Sequence, residues 1–123
     1  ERSLAHSKKL GSDVQRVVRK VMAYIHEHYA DPLSRDELAD YAGVSPRHLT
    51  RCFDEEVGIS PITYLNRFRI LEAKRLLVRG DKSITEVAIE VGFSNSAYFA
   101  EMFRRETGVS PRDFQRREPG PSK

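Results

Sequence analysis

The sequence predicts an all-α protein of seven helices, made of two helix-turn-helix units joined by one long helix. Three observations carry this. Nothing in the chain alternates at period two over a strand's length, whereas apolar residues recur at helical spacing along most of it. Helix starts are marked by Ser with Gln or Glu three residues on, or by Ser-Pro, which satisfy or remove the orphan N–H groups of a first turn. The second half of the chain also repeats the first.

The first helix is read from Ser12-Asp13-Val14-Gln15, with Val14, Val17, Val18, Val21, Met22, Ile25 and Tyr29 as an apolar stripe that Asp31-Pro32 ends. Ser34-Arg35-Asp36-Glu37 is a capping box that opens a short second helix with Leu38, Ala39, Tyr41 and Ala42. Gly43 closes it, because glycine enters the left-handed conformation without penalty. After Val44, Ser45-Pro46 opens a third helix whose buried stripe is Leu49, Cys52, Phe53 and Val57, ended by Gly58.

Ser60-Pro61 opens a helix of about 19 residues, about 28 Å long, that buries Tyr64, Leu65, Phe68, Leu71, Leu76 and Leu77 before Gly80. Ser83-Ile84-Thr85-Glu86 is a further capping box, followed by the stripe Val87, Ala88 and Val91 and by a turn at Gly92. A sixth helix carrying Phe99, Met102 and Phe103 runs to Gly108, and Ser110-Pro111 opens a last short one around Phe114.

The repeat is explicit. Glu37, Ala39, Gly43 and Ser45 match Glu86, Ala88, Gly92 and Ser94 at an offset of 49. From Leu49 the offset is 50, and Phe53, Glu56, Gly58, Ser60 and Pro61 match Phe103, Glu106, Gly108, Ser110 and Pro111. One residue is therefore inserted in the second turn.

Composition narrows the function classes. At 123 residues the chain is one compact domain or two very small ones, too short for a large enzyme. No apolar run approaches the roughly 18 to 20 residues that span a bilayer, and the polar start has no signal-peptide h-region, so a soluble, cytoplasmic protein with no membrane partner is expected. A single cysteine, Cys52, excludes an intrachain disulfide and a four-cysteine zinc site. With 21 Lys+Arg against 18 Asp+Glu, the net charge of +3 allows a local basic face rather than a general polycation.

Removing the buried stripe of the third helix leaves Arg47, Thr50, Arg51 and Asp54 on one outward face. In a helix-turn-helix the second helix enters the major groove, where Arg pairs bidentately with guanine and Thr offers a hydroxyl or a methyl. The competing reading is a solvated charged face, and the repeat is what favours DNA. On the sixth helix the equivalent face is Asn95, Ser96, Ala97, Ala100, Glu101 and Arg104, smaller and less basic. Asn95 and Ser96 are candidates for base edges, Glu101 for cytosine N4, and Ala97 or Ala100 for a thymine methyl. Alternatively Glu101 pairs with Arg104 or Arg105 along its own helix.

Backbone contacts are expected at capped helix starts, where unpaired N–H groups and the dipole favour phosphate. The candidates are Ser34 and Ser83 with Arg35 and Lys82 beside them, Thr63, Asn66 and Arg67 on the long helix, Arg104, and Arg112. Capping or solvation is the competing reading for each. Catalytic chemistry is thin: His48 and Cys52 stand at i, i+4, but Cys52 lies on the buried stripe and no third group orients the pair. His26 and His28 are about 200° apart on a helix and cannot converge on one metal. No catalytic residue, metal site or cofactor is expected.

With these residues in place, the sequence resembles the C-terminal DNA-binding domain of AraC/XylS-type transcription regulators over about residues 13–117. The resemblance is carried by Leu38-Ala39 through Gly43-Val44-Ser45, by Leu49-Thr50-Arg51-Cys52-Phe53 and by Gly58-Ile59-Ser60-Pro61. It continues in Arg69-Ile70-Leu71-Glu72-Ala73-Lys74-Arg75-Leu76-Leu77 and, most diagnostically, in Ile84 through Ala88 and Val91-Gly92-Phe93-Ser94-Asn95-Ser96-Ala97-Tyr98-Phe99. Phe103 through Gly108 and Ser110-Pro111 complete it.

The resemblance implies a homeodomain-like fold with two helix-turn-helix subdomains, at about 13–58 and 83–117, rigidly joined by a linker helix at about 61–79. It implies base contacts at Arg47, Thr50 and Arg51, and at Ser96, Ala97, Ala100 and Glu101, in adjacent major-groove segments about 10 bp apart. Many members carry a basic residue where this chain has Glu101, so the second half is expected to read sequence less strongly.

It also implies a separate sensory or dimerisation domain, with residues 1–12 as a polar linker to it and 118–123 as a disordered tail. The expected partner is double-stranded DNA, with RNA polymerase a second candidate. The isolated domain is expected to be a monomer and the full-length regulator a dimer. The alternative from another class is a helical protein-interaction module whose outward faces bind an acidic partner.

Overall fold

The computed structural model describes residues 2–117, with side chains from Asp13 onward. Seven helices run through the described residues: α1 (Arg2–His28), α2 (Arg35–Ala42), α3 (Pro46–Glu56), α4 (Pro61–Arg79), α5 (Ile84–Glu90), α6 (Ser96–Thr107) and α7 (Pro111–Arg117). No strand occurs among those residues. The expected tail, 118–123, lies outside them.

The caps fall where the serines predict. In α2 the Ser34 hydroxyl accepts from the Glu37 N–H at 3.1 Å while the Glu37 carboxylate accepts from the Ser34 N–H at 2.8 Å. Ser83 and Glu86 repeat this box at the start of α5, at 3.0 and 2.8 Å. Each box satisfies two donors that have no partner inside the helix.

Two starts differ from expectation. The first helix does not begin at Ser12 but at Arg2. A capping-box spelling starts a helix only if the preceding residues resist helix, and Leu4, Ala5, Lys8, Lys9 and Leu10 are all good helix formers that outweigh Gly11. The second departure concerns the inserted residue. In α6 the N-cap is Asn95, whose Oδ1 accepts from the Tyr98 N–H at 2.7 Å, so Asn95 and not Ser94 plays the part of Ser45. The extra residue thus precedes the cap, and α3 and α6 correspond at a single offset of 50.

The chain divides into two compact units. Unit 1 comprises the residues up to His28 together with Leu33–Tyr64, and unit 2 comprises Tyr29–Pro32 with the described residues from Leu65 onward. Tyr29–Pro32 therefore groups with unit 2 and not with the first helix-turn-helix.

In unit 1, α1 packs on α2 and α3. The buried side chains are Val17, Val18, Val21 and Ile25 from α1, Leu38, Ala39 and Ala42 from α2, and Leu49, Cys52 and Phe53 from α3. Tyr41 is 44% exposed, and its ring stacks 4.2 Å from Tyr24 with the Lys20 ammonium 5.1 Å from its centre. His26 Nε2 and the Tyr64 hydroxyl share a 2.6 Å hydrogen bond at the start of α4.

In unit 2 one core joins Ile70, Ala73, Leu76 and Leu77 of α4 to Val87, Ala88, Val91, Phe93, Phe99, Met102 and Phe103. Phe114 of α7 meets Phe103 edge-on at 5.4 Å. Leu71, expected inside, is 56% exposed. The inner stripe of α4 instead runs through Asn66, Arg69, Ile70, Ala73, Leu76 and Leu77, so two of its positions are polar and apolarity alone misplaces it.

Arg69 is 7% exposed and has no acidic partner among the described residues; burial pulls its pKa below the usual arginine value. Its guanidinium donates to the carbonyls of Tyr29 and Asp31 at 2.7 and 2.8 Å and lies 5.6 Å from the centre of the Phe93 ring.

Candidate nucleic-acid interface

On α3 the Ser45 cap and Pro46 fix the first turn, and the inward stripe Leu49, Cys52 and Phe53 fixes the rotation of the helix about its axis. That rotation leaves Arg47, Arg51 and Asp54 exposed and Thr50 half-buried. These four side chains, with Arg35 from the first turn of α2 and the turn at Gly58–Ser60, line an open groove of about 630 Å³.

Electrostatically, Arg47 and Arg51 are, like Arg35, Arg104 and Arg112, outside the ion pairs of the described residues. Arg67, Arg75, Arg79, Lys82, Arg105 and Arg116 are all in ion pairs, whereas neither Arg47 nor Arg51 has one among the described residues. Arg35 donates to the Thr50 hydroxyl at 3.3 Å, and Thr50 donates in turn to the Pro46 carbonyl at 3.1 Å. The only hydroxyl hydrogen of Thr50 is thereby committed to its own helix. What it can offer an outside group is a lone pair or its methyl.

On α6 the Phe99, Met102 and Phe103 stripe faces the core. Ala97, Glu101 and Arg104 are exposed, and Ser96 and Ala100 are half-buried. Asn95 is exposed with its Oδ1 spent on the cap. Glu101 accepts from Arg105 one turn on, at 3.4 Å, the intrahelical pairing that competed with base reading. Arg104 has no ion pair among the described residues.

The phosphate candidates separate by surroundings. Ser34 and Ser83 are exposed, with their hydroxyls used in the capping boxes. Thr63 accepts from the Ser60 hydroxyl at 2.9 Å. Arg67 is half exposed and paired with Glu106 at 2.9 Å, and Lys82 is paired with Glu90 at 3.3 Å. Arg112 is exposed. Asn66 departs from the expectation: it is 9% exposed, and its amide donates to the Tyr98 hydroxyl at 3.3 Å and approaches Met102 Sδ at 3.9 Å. It lies among core side chains of unit 2, because its position falls on the inner stripe of α4.

Cys52 is 1% exposed, and burial pushes its thiol pKa up, the reverse of what a nucleophilic thiolate needs. His48 Nε2 lies 3.5 Å from Cys52 Sγ, and among the described residues no carboxylate completes a triad. Among the described residues no group of His, Cys, Asp and Glu is arranged to hold a metal ion. No described helix is long and apolar enough to cross a membrane.

Comparison with known proteins gives a consistent picture. A family model described as a helix-turn-helix domain matches residues 38–117. The HTH-type transcriptional activator RhaS of Escherichia coli O9:H4 (strain HS) is 38% identical over 100 residues, covering 81% of this chain and 36% of that protein. The chain thus spans about a third of the length of the curated relatives it matches.

Among solved structures, a transcriptional regulator from Chromobacterium violaceum with an AraC-type DNA-binding domain superposes with a TM-score of 0.78 at 30% identity, over 87% of this chain and 96% of that one. The DNA-binding domain of AdpA, a global transcriptional factor solved with a target DNA, superposes with a TM-score of 0.77 at 32% identity, over 83% and 91% of the two chains. The duplicated, serine-capped helix-turn-helix and these relatives agree: the chain belongs to the AraC-type helix-turn-helix family of transcription regulators, of which it is the DNA-binding domain.

Proposed function

We propose that the domain reads two adjacent major-groove segments of double-stranded DNA, with α3 as the principal reading helix and α6 as a weaker second one. The observation that carries this is the pair of exposed arginines on α3, Arg47 and Arg51, neither in an ion pair among the described residues. Ion-paired arginines must first give up a carboxylate to reach a base; these two have none to give up. Thr50 sits between them with its hydroxyl hydrogen spent, which suits it to a thymine methyl.

On α6, Ser96, Ala97 and Ala100 present small groups, and Glu101 is the acceptor that a cytosine amino group needs. Asn95 keeps its amide nitrogen for a base edge. Arg35, Arg104 and Arg112, with the capped starts at Ser34 and Ser83 and with Thr63, take phosphates, and Arg67 and Lys82 do so by exchanging a carboxylate for a phosphate.

The remaining parts of the reading concern the longer regulator, in which this domain performs recognition and no catalysis. It works in the cytoplasm, as a monomer when isolated, with dimerisation and any contact to RNA polymerase left to the full protein. An acidic protein partner for the same faces has no observation of its own in favour.

The test is selection from a random duplex library at about 150 mM salt, where nonspecific binding is suppressed, followed by repetition with Arg51→Ala. The expected result is one strongly enriched block with a weaker block about a helical turn away, and for Arg51→Ala a loss of about 1 to 3 kcal/mol with relaxation at one base position. Absence of enrichment, or an Arg51→Ala protein with the same affinity and preference, overturns the reading.

A further inference from the structure

We infer that His48 is a positioning residue for Arg51: its imidazole holds the Arg51 guanidinium in place on the outward face of α3 before DNA arrives. The inference deepens the reading of α3 as the principal base-reading helix and rests on it.

The chemistry of the contact allows one arrangement. Arg51 Nη2 lies 3.3 Å from His48 Nδ1, and a guanidinium can only donate, so Nδ1 accepts. An accepting Nδ1 carries no hydrogen, which places the hydrogen of the neutral ring on Nε2. Nε2 in turn lies 3.5 Å from Sγ of Cys52, itself 1% exposed, so the far edge of the ring is anchored to the core of unit 1. Burial keeps the Cys52 thiol protonated and neutral, which suits it to receive a weak N–H contact rather than to draw a proton from the ring. The His48 backbone N–H donates to the Ser45 cap hydroxyl at 3.0 Å. His48 is therefore tied to the helix cap by its backbone and to the core by one ring nitrogen, and it offers the other nitrogen to Arg51.

Arg47 supplies the contrast. It is exposed on the same helix, yet no side chain of the described residues holds it. A long arginine side chain loses rotamer freedom when it docks on a base, and a neighbour that orders it beforehand removes part of that cost. The geometry thus assigns Arg51 to discrimination and leaves Arg47 to adapt to whichever base or phosphate lies nearest.

The experiment is a double-mutant cycle on the whole chain: unmodified, His48→Ala, Arg51→Ala and the double variant. Each is titrated against the duplex selected by the unmodified chain and against every single-base variant of that duplex. The expected result is that His48→Ala weakens the selected duplex about 3- to 10-fold and flattens preference at the same base that Arg51→Ala flattens. On the Arg51→Ala background the further loss is less than about twofold. An equal loss in both backgrounds overturns the proposal and makes His48 a fold residue or a DNA contact in its own right. If Arg51→Ala alone changes nothing, both this inference and the base-reading role of Arg51 fall, so the two failures are distinguishable.

Should thermal unfolding place the alanine variant below the assay temperature, the cycle runs with His48→Gln, which keeps an acceptor, and His48→Leu, which does not. Retained preference in the first and lost preference in the second support the proposal, and identical behaviour of the two overturns it.

Discussion

Arg69 and Gly92 compete for one space: a Cβ on Gly92 would lie 2.7 Å from the Arg69 Nε and 2.6 Å from the Tyr29 carbonyl oxygen to which that Nε donates. The turn between α5 and α6 can pass there only because residue 92 lacks a side chain. Its backbone also stands at φ 108°, outside what L side chains ordinarily adopt. The glycine that the repeat aligns with Gly43 is therefore under two constraints, whereas Gly43, at φ 75°, has nothing within 4 Å of its would-be Cβ.

The two positions should separate in a stability measurement. Gly43→Ala bears only the backbone penalty, about 1 to 2 kcal/mol. Gly92→Ala adds a clash with a backbone carbonyl and is expected to cost about 2 to 4 kcal/mol. Urea unfolding of both variants checks this, and equal losses would show that Arg69 and the Tyr29 carbonyl move aside freely.

Thr50 gives a test of how the reading helix uses its small residue. Because its hydroxyl hydrogen is committed to the Pro46 carbonyl, Thr50→Val should keep most base discrimination, while Thr50→Ser should lose about 1 kcal/mol of it with the methyl. Competition binding against single-base variants of the selected duplex reads this directly. The opposite order would assign the contact to the hydroxyl.

Glu101 tests the weaker helix. Glu101→Gln removes a negative charge from the α6 face and releases Arg105 from its 3.4 Å pair. Affinity for an arbitrary duplex should rise, and the slope of log K against log salt should steepen by about one unit, the signature of one more phosphate contact. Preference for a cytosine at one position should weaken at the same time, and an unchanged preference would remove Glu101 from the base-reading residues.

Cys52 links pH to stability. Burial raises its pKa in the fold above its usual value, with Glu55 adding to the effect and Arg51 opposing it. A raised folded-state value means that the fold favours the protonated thiol, so its contribution is fully present below the ordinary cysteine value and is lost as pH rises from there through the raised folded-state value. The urea midpoint should therefore fall between pH 8 and pH 10. At pH 8 the thiol should react with a disulfide reagent only upon unfolding, and rapid reaction of the native chain would contradict its burial.

Much of this domain was legible before any coordinates. The two capping boxes at Ser34 and Ser83, the Ser-Pro starts at 46, 61 and 111 and the stripe Leu49, Cys52 and Phe53 are each spelled within a few residues of chain. Caps and stripes are local, so the letters suffice to orient α3 and to name Arg47, Thr50 and Arg51. The misreadings share a cause. Ser12 spells a cap but follows good helix formers, and Ser94 spells the partner of Ser45 while Asn95 does its work. In both, a short pattern was satisfied by a neighbouring solution that local letters do not rank.

Side-chain partners lay further out of reach. Leu71 is apolar and outside, and Arg69 and Asn66 are polar and inside, because Tyr29 and Asp31 bring carbonyls to the one, and Tyr98 and Met102 bring a hydroxyl and a sulfur to the other, from 32 to 40 residues away. Periodicity cannot anticipate such satisfaction of a buried polar group, since it depends on which distant atoms arrive. The helices, their caps and the reading face of α3 thus follow from local backbone and solvation chemistry. Which distant atoms satisfy Asn66 and Arg69, and that Arg67 pairs with Glu106, were settled only when the helices packed, because those partners lie tens of residues away in the chain.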